Sequence, residues 1–121
     1  MKSKKILIVD DEKQILEMMT ELLEENGFKS GQALTGEEAL KMLESEAYSL
    51  VISDVRMPEM DGFELLEEIK ARYPKTKMIM MTGYTDDYDI SDALILGAED
   101  YITKPFDEAK IMLAVKNALK N

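Results

Sequence analysis

Residues 4–12 read KKILIVDDE: four consecutive aliphatic side chains, Ile6 to Val9, run into two adjacent carboxylates, Asp10 and Asp11. An apolar run this short, bounded by charge, has the length of a buried strand. A strand that stops at paired aspartates sets like charges side by side at the edge of a core. That is costly unless something cationic sits there. The stretch therefore predicts both the first element of a sheet and a site.

Outward from this run, strand-like and helix-like stretches alternate. Ile15, Met18, Met19, Leu22 and Leu23 have the spacing of an amphipathic helix, stopped by Asn26-Gly27. Residues 28–34 form a polar strand candidate that suits a sheet edge. Thr35 then starts a helix, with Glu38 completing a capping box and Ala39, Leu43 and Ala47 facing inward. Leu50-Val51-Ile52 is a third apolar run, ending at Asp54. The loop Met57-Pro58-Glu59-Met60-Asp61-Gly62 leads into a helix carrying Leu65, Leu66 and Ile69, which must end before Pro74. Lys77 to Met81 is a fourth strand ending at Thr82, and residues 85–96 are helical. Asp100 to Thr103 is a fifth strand ending at Lys104, and a helix from about Phe106 to Leu119 closes the chain. Five strands alternating with five helices predict an α/β fold, a doubly wound parallel sheet with helices on both faces.

Composition narrows the chemistry. The 121 residues, 45% hydrophobic with three prolines and six glycines, fit one domain over residues 1–121. The absence of cysteine excludes disulfides, thiolate metal sites and thiol catalysis; the absence of histidine removes the usual zinc ligand and the usual neutral-pH base. A formal charge of -10 argues against a nucleic-acid surface and for hard cations or basic partner patches. MKSKK is too short for a signal peptide. The apolar runs fall far short of the roughly 18 residues of a membrane span, so a cytoplasmic location is expected.

In doubly wound sheets the ligand site lies beyond the carboxyl ends of the strands. Asp10, Asp11, Asp54, Thr82 and Lys104 all fall there. Three acids, a hydroxyl and an ammonium suit a hard cation together with an anion. Mg2+ takes one or two carboxylates plus phosphate oxygens, and Mn2+ fits the same donors. Thr82 and Lys104 are natural partners for the remaining oxygens of a phosphoryl group. With imidazole and thiol missing, the nucleophile is a carboxylate. Asp54 stands alone at the end of the central strand and is the best candidate, and its attack on phosphorus would give an aspartyl phosphate. Asp10 also suits a helix cap and Asp11 a first-turn acid.

Four motifs, ILIVDDE, VISDVRMPEMDG, MTGY and GAEDYITKPF, stand in order at these strand ends. Through them the chain resembles, over essentially its whole length, the receiver domain of bacterial response regulators, the phosphoacceptor half of two-component signalling. The resemblance implies a flavodoxin-like fold with strand order 2-1-3-4-5. It implies Mg2+ held by Asp11, Asp54 and the backbone carbonyl of Arg56, with Asp10 acting through water. Thr82 matches the switch hydroxyl, Lys104 the phosphate-binding lysine, Tyr101 the switch aromatic, and Lys104-Pro105 a peptide bond that is characteristically cis. Arg56 and Tyr84 match places that tune phosphate lifetime.

A protein of this kind catalyses its own phosphoryl transfer and dephosphorylation without being a conventional turnover enzyme. The expected donor is a histidine kinase or phosphotransfer protein, and the expected recipient a downstream protein or an output domain of the same chain. Three forms stay open: a free-standing regulator, a phosphorelay intermediate, or the receiver of a longer transcriptional regulator. An aspartyl-phosphate hydrolase is the rival reading, and it needs a cap or insertion that the short loops do not offer. Leu113 lies off the inward stripe of the last helix (Ile111, Val115, Ala118, Leu119), Met112 lies at its margin, and Ile95 stands where family members often carry a cation. Together these three predict an output or homodimer patch on the face of the fourth helix, fifth strand and fifth helix. Glu108 stands where an apolar anchor is common. Asp61-Gly62 reads as a turn in which Gly62 supplies backbone freedom.

Overall fold

The structure is a computed structural model that describes residues 4–83, 96–103 and 107–120. Strands β1 (Lys5–Val9), β2 (Lys29–Ala33), β3 (Leu50–Asp54), β4 (Lys77–Thr82) and β5 (Asp100–Thr103) form one parallel sheet in the order β2-β1-β3-β4-β5. The order is the one expected, and the polar strand β2 lies at an edge. Helices α1 (Lys13–Glu25), α2 (Gly36–Ser45), α3 (Gly62–Arg72) and α4 (Glu108–Ala118) are the four among the described residues. Nearly all of the helix expected at 85–96 lies outside them.

Because side chains alternate across a strand, each strand feeds two cores. Ile6, Ile8, Leu50, Ile52, Ile79, Met81 and Ile102 meet α1 and α4 on one face. Leu7, Val9, Val51, Met78 and Met80 meet α2 and α3 on the other. Burial on both faces explains why the central strands read as unbroken aliphatic runs.

The helix ends follow local chemistry. Gly27, with φ 86°, ends α1 in the left-handed region. The Phe28 and Gly27 amides donate to the Leu23 and Glu24 carbonyls at 3.0 Å each, the paired bonds of a Schellman motif. The Thr35 hydroxyl accepts from the Glu38 amide at 3.0 Å, while the Glu38 carboxylate accepts from the Leu34 amide at 2.9 Å. The expected box is therefore displaced by one residue. Helix α2 stops at Ser45, so Ala47 is exposed and Tyr48 fills the inward place. Helix α4 begins at Glu108, with Asp107 accepting from the Ala109 and Lys110 amides. Leu16 joins Met19, Leu22 and Leu23 on the buried face of α1, and Ile15 and Met18 are half-buried. At the far end of the sheet the Lys77 ammonium, at the start of β4, donates to the Ala118 carbonyl at the end of α4 at 2.8 Å. A cation there complements the negative end of the helix.

Candidate functional site

Register decides which strand ends are neighbours. Val9 lies opposite Ser53, so Asp10 and Asp54 follow on adjacent strands; Asp54 lies opposite Met81, and Thr82 opposite Thr103. Asp10, Asp54 and Thr82 thus belong to one rim, and all three are buried, 0%, 6% and 1% exposed. Lys104 is next in sequence to Thr103 but lies outside the described residues, as do Pro105, Tyr84 and Ile95.

The Asp10 amide donates to the Ala33 carbonyl at 3.1 Å, and its carboxylate accepts from the Glu12 amide at 2.9 Å. This is a local Asx-type bond. The residue at the helix cap position is Glu12, whose side chain makes no cap bond. The carboxylate oxygens of Asp10, Asp11 and Glu12 all lie within 4.8 Å of one another, Asp11 and Glu12 being exposed. Glu12 is the acid that sequence reasoning passed over, although it completes the acidic triplet of DDE. An all-oxygen donor set suits a small hard cation such as Mg2+.

Around Asp54 the backbone is held tightly. The Ser53 hydroxyl donates to the Asp54 carbonyl at 2.9 Å, the Val55 amide to the Met81 carbonyl at 2.8 Å, and the Gly62 amide to the Val55 carbonyl at 2.8 Å. A Cβ on Gly62 would lie 2.5 Å from the Asp54 carbonyl oxygen and 2.9 Å from Val55 Cα. Gly62 is not among the positive-φ glycines. The expectation of backbone freedom is therefore corrected: space, not φ, requires glycine, because the first turn of α3 sits flush on the strand that carries Asp54. Asp61 is the cap of α3. Its carboxylate accepts from the Glu64 amide at 2.9 Å, and the Glu64 carboxylate accepts from the Asp61 amide at 3.0 Å.

Between them runs loop 55–61, in which Glu59 adopts φ 68°. Met57 is buried, while Arg56 is exposed at an open cleft of about 390 Å³ shared with Pro58, Glu59 and Glu64. Tyr101 lies opposite Met80, half-buried against the core of the α2 and α3 face. A second groove of about 390 Å³ runs between β5 and α4, with Asp100, Thr103, Asp107, Lys110 and Leu113 along it. Leu113 is 61% exposed, but Met112 is 8% exposed and packs in the core. That corrects its expected place in a surface patch.

A family model described as the response regulator receiver domain matches residues 6–116. The chain belongs to that family. Among curated proteins the receiver is 38% identical to the regulatory protein VanRc of Enterococcus gallinarum over 98% of this chain and 51% of that one. It is 37% identical to the alkaline phosphatase synthesis transcriptional regulatory protein PhoP of Bacillus subtilis, over 98% of this chain and 49% of the relative. The receiver thus spans about half the length of these two relatives. Among solved structures it resembles a CheY-like receiver domain protein from Methanospirillum hungatei, with TM-score 0.92 and 36% identity over 98% of this chain and 95% of that one. The chemotaxis protein CheY4 of Vibrio cholerae matches with TM-score 0.89 and 29% identity over 98% of this chain and all of the other. Membership in the receiver-domain family of two-component response regulators supports a phosphoacceptor signalling switch. No helix among the described residues is long and apolar enough to cross a membrane.

Proposed function

We propose that this receiver takes a phosphoryl group on Asp54 in a Mg2+-dependent reaction and passes the state on through protein contacts. The observation that carries the reading is the convergence of buried Asp54 and Thr82 on the rim that holds the Asp10, Asp11 and Glu12 oxygens. Asp11, the Asp54 carboxylate and the Arg56 carbonyl would hold Mg2+ directly, with Asp10 bonded through water; Mn2+ would substitute. The ion supplies counter-charge that lets an anionic nucleophile approach an anionic phosphoryl group.

An Asp54 carboxylate oxygen attacks phosphorus, forming an acyl phosphate. The bond from phosphorus to the donor's imidazole nitrogen breaks, and its electron pair leaves with the imidazole. The Thr82 hydroxyl and the Lys104 ammonium bind the transferred oxygens. The inward pull on Thr82 draws the following loop and gives Tyr101 room to rotate. The donor is a histidine kinase or phosphotransfer protein in the cytoplasm. In a protein built like VanRc or PhoP, the recipient is an output segment of the same chain.

Incubation with acetyl phosphate, with and without Mg2+, followed by intact mass, tests the proposal. The expected result is one phosphoryl group gained only with the metal and lost in Asp54→Asn. No metal-dependent adduct from small donors or a panel of kinases would refute it.

A further inference from the structure

We infer that the seat of Met60 on Gly36 positions the loop that carries the metal-facing Arg56 carbonyl, making the start of α2 part of the working architecture of the site. The inference rests on the phosphoacceptor reading above. Loop 55–61 is anchored at its far end by the Asp61 and Glu64 bonds and by Gly62 against Asp54. Next to that anchor, at Met60, it also leans on a different element. A Cβ on Gly36 would meet three atoms of one side chain: Met60 Sδ at 2.8 Å, Cγ at 3.0 Å and Cβ at 3.2 Å.

Gly36 is buried, opens α2 and does not have positive φ, so helix geometry alone would accept alanine there. What asks for glycine is the methionine. Rotation about χ1 moves Sδ and Cγ away but leaves Cβ in place, because Cβ moves only with the backbone of residue 60. A methyl group on Gly36 therefore pushes the main chain of the loop four residues from Arg56. Contacts that orient ligands from outside the coordination sphere typically change metal affinity by about 10- to 100-fold when broken.

The test is a double-mutant cycle read as the Mg2+ concentration that half-saturates acetyl phosphate labelling, alongside direct Mn2+ binding by calorimetry. Gly36→Ala should raise the requirement about tenfold, the lower end of that range. Met60→Ala should raise it less; because alanine keeps Cβ, Gly36→Ala should still raise the requirement in the Met60→Ala background and should add nothing only in a Met60→Gly background. A folded Gly36→Ala with unchanged metal affinity, or an equal penalty in the wild-type and Met60→Gly backgrounds, overturns the inference while leaving the phosphoacceptor reading intact. If Gly36→Ala does not fold, Met60→Ala against Met60→Leu decides: the leucine, of similar volume, should restore the affinity that alanine loses, and equal affinity in all three proteins overturns the inference. A wild type that gains no phosphoryl group brings down the phosphoacceptor reading, and this inference with it.

Discussion

Gly62 stands where α3 meets the acceptor strand, and a single methyl group there would collide with the Asp54 carbonyl and with Val55 Cα. Both are backbone, so neither can swing aside. Gly62→Ala should cost about 1–3 kcal/mol of stability in urea denaturation, as overpacking does. It should also lower the labelling rate of Asp54, measured far below the melting temperature. The need for glycine was hidden in the sequence, where Asp-Gly has the same spelling whether a turn needs φ above zero or a helix needs to lie close. Asp10, Asp54 and Thr82 were legible because each ends an apolar run, and the end of a parallel strand is a place on the rim. Glu12 was missed because two aspartates already satisfied the charge count for a small cation, and only folded geometry brings the third carboxylate alongside them.

For an element, the ends matter most. Asp61→Ala should destabilise the protein by about 1 kcal/mol through the lost cap on α3, read as a shift in the urea midpoint. Metal-dependent labelling should persist, since Asp61 bonds the α3 amide rather than supplying a proposed metal ligand; loss of labelling in a folded variant would contradict this. The position of Met112 escaped a stripe drawn through Ile111, Val115 and Ala118, because a core-facing helix buries an arc wide enough to take in its flanking positions. Ala47 escaped for the opposite reason: α2 stops at Ser45, before its periodicity reaches that residue.

At the start of β1, the Lys5 ammonium pairs with Glu46 and lies 5.4 Å from the centre of the Tyr48 ring, whose hydroxyl donates to Glu46 at 3.3 Å. Burial, and then the Glu46 charge, push the Tyr48 hydroxyl above its ordinary 10.0; the Glu46 bond does most to raise Lys5 above 10.5. A folded value above the unfolded one means stability that is intact below the unfolded value and lost as pH rises through the folded one. Urea midpoints should therefore hold up to about pH 10 and fall as pH rises above it, and fall less in Tyr48→Phe. Equal losses in the two proteins would contradict the assignment.

Over the whole molecule, alternation and short connections were enough to read a doubly wound parallel sheet, since right-handed crossovers leave few ways to wind five parallel strands; the strand order itself followed from the family resemblance. The expected output face was less legible, because exposure depends on how helices seat rather than on their spacing alone. Leu113 is at the surface beside the groove of β5 and α4, and Met112 is not. If that face docks a partner or a second copy, Ile95→Lys with Leu113→Lys should leave labelling of Asp54 intact and weaken self-association or partner binding. Unchanged sedimentation and unchanged partner binding would remove the patch from consideration.

The bond from Lys77 to the Ala118 carbonyl gives β4 two occupations at once. One end of the strand carries the hydroxyl proposed to answer phosphorylation; the other grips the last turn of α4. A six-residue strand is about 20 Å long. Any segment that continues beyond α4 therefore sets out from the opposite pole of the domain, tethered to the same rod that ends at Thr82. The Lys77 bond thus joins the strand that ends at Thr82 to the point from which any such segment departs.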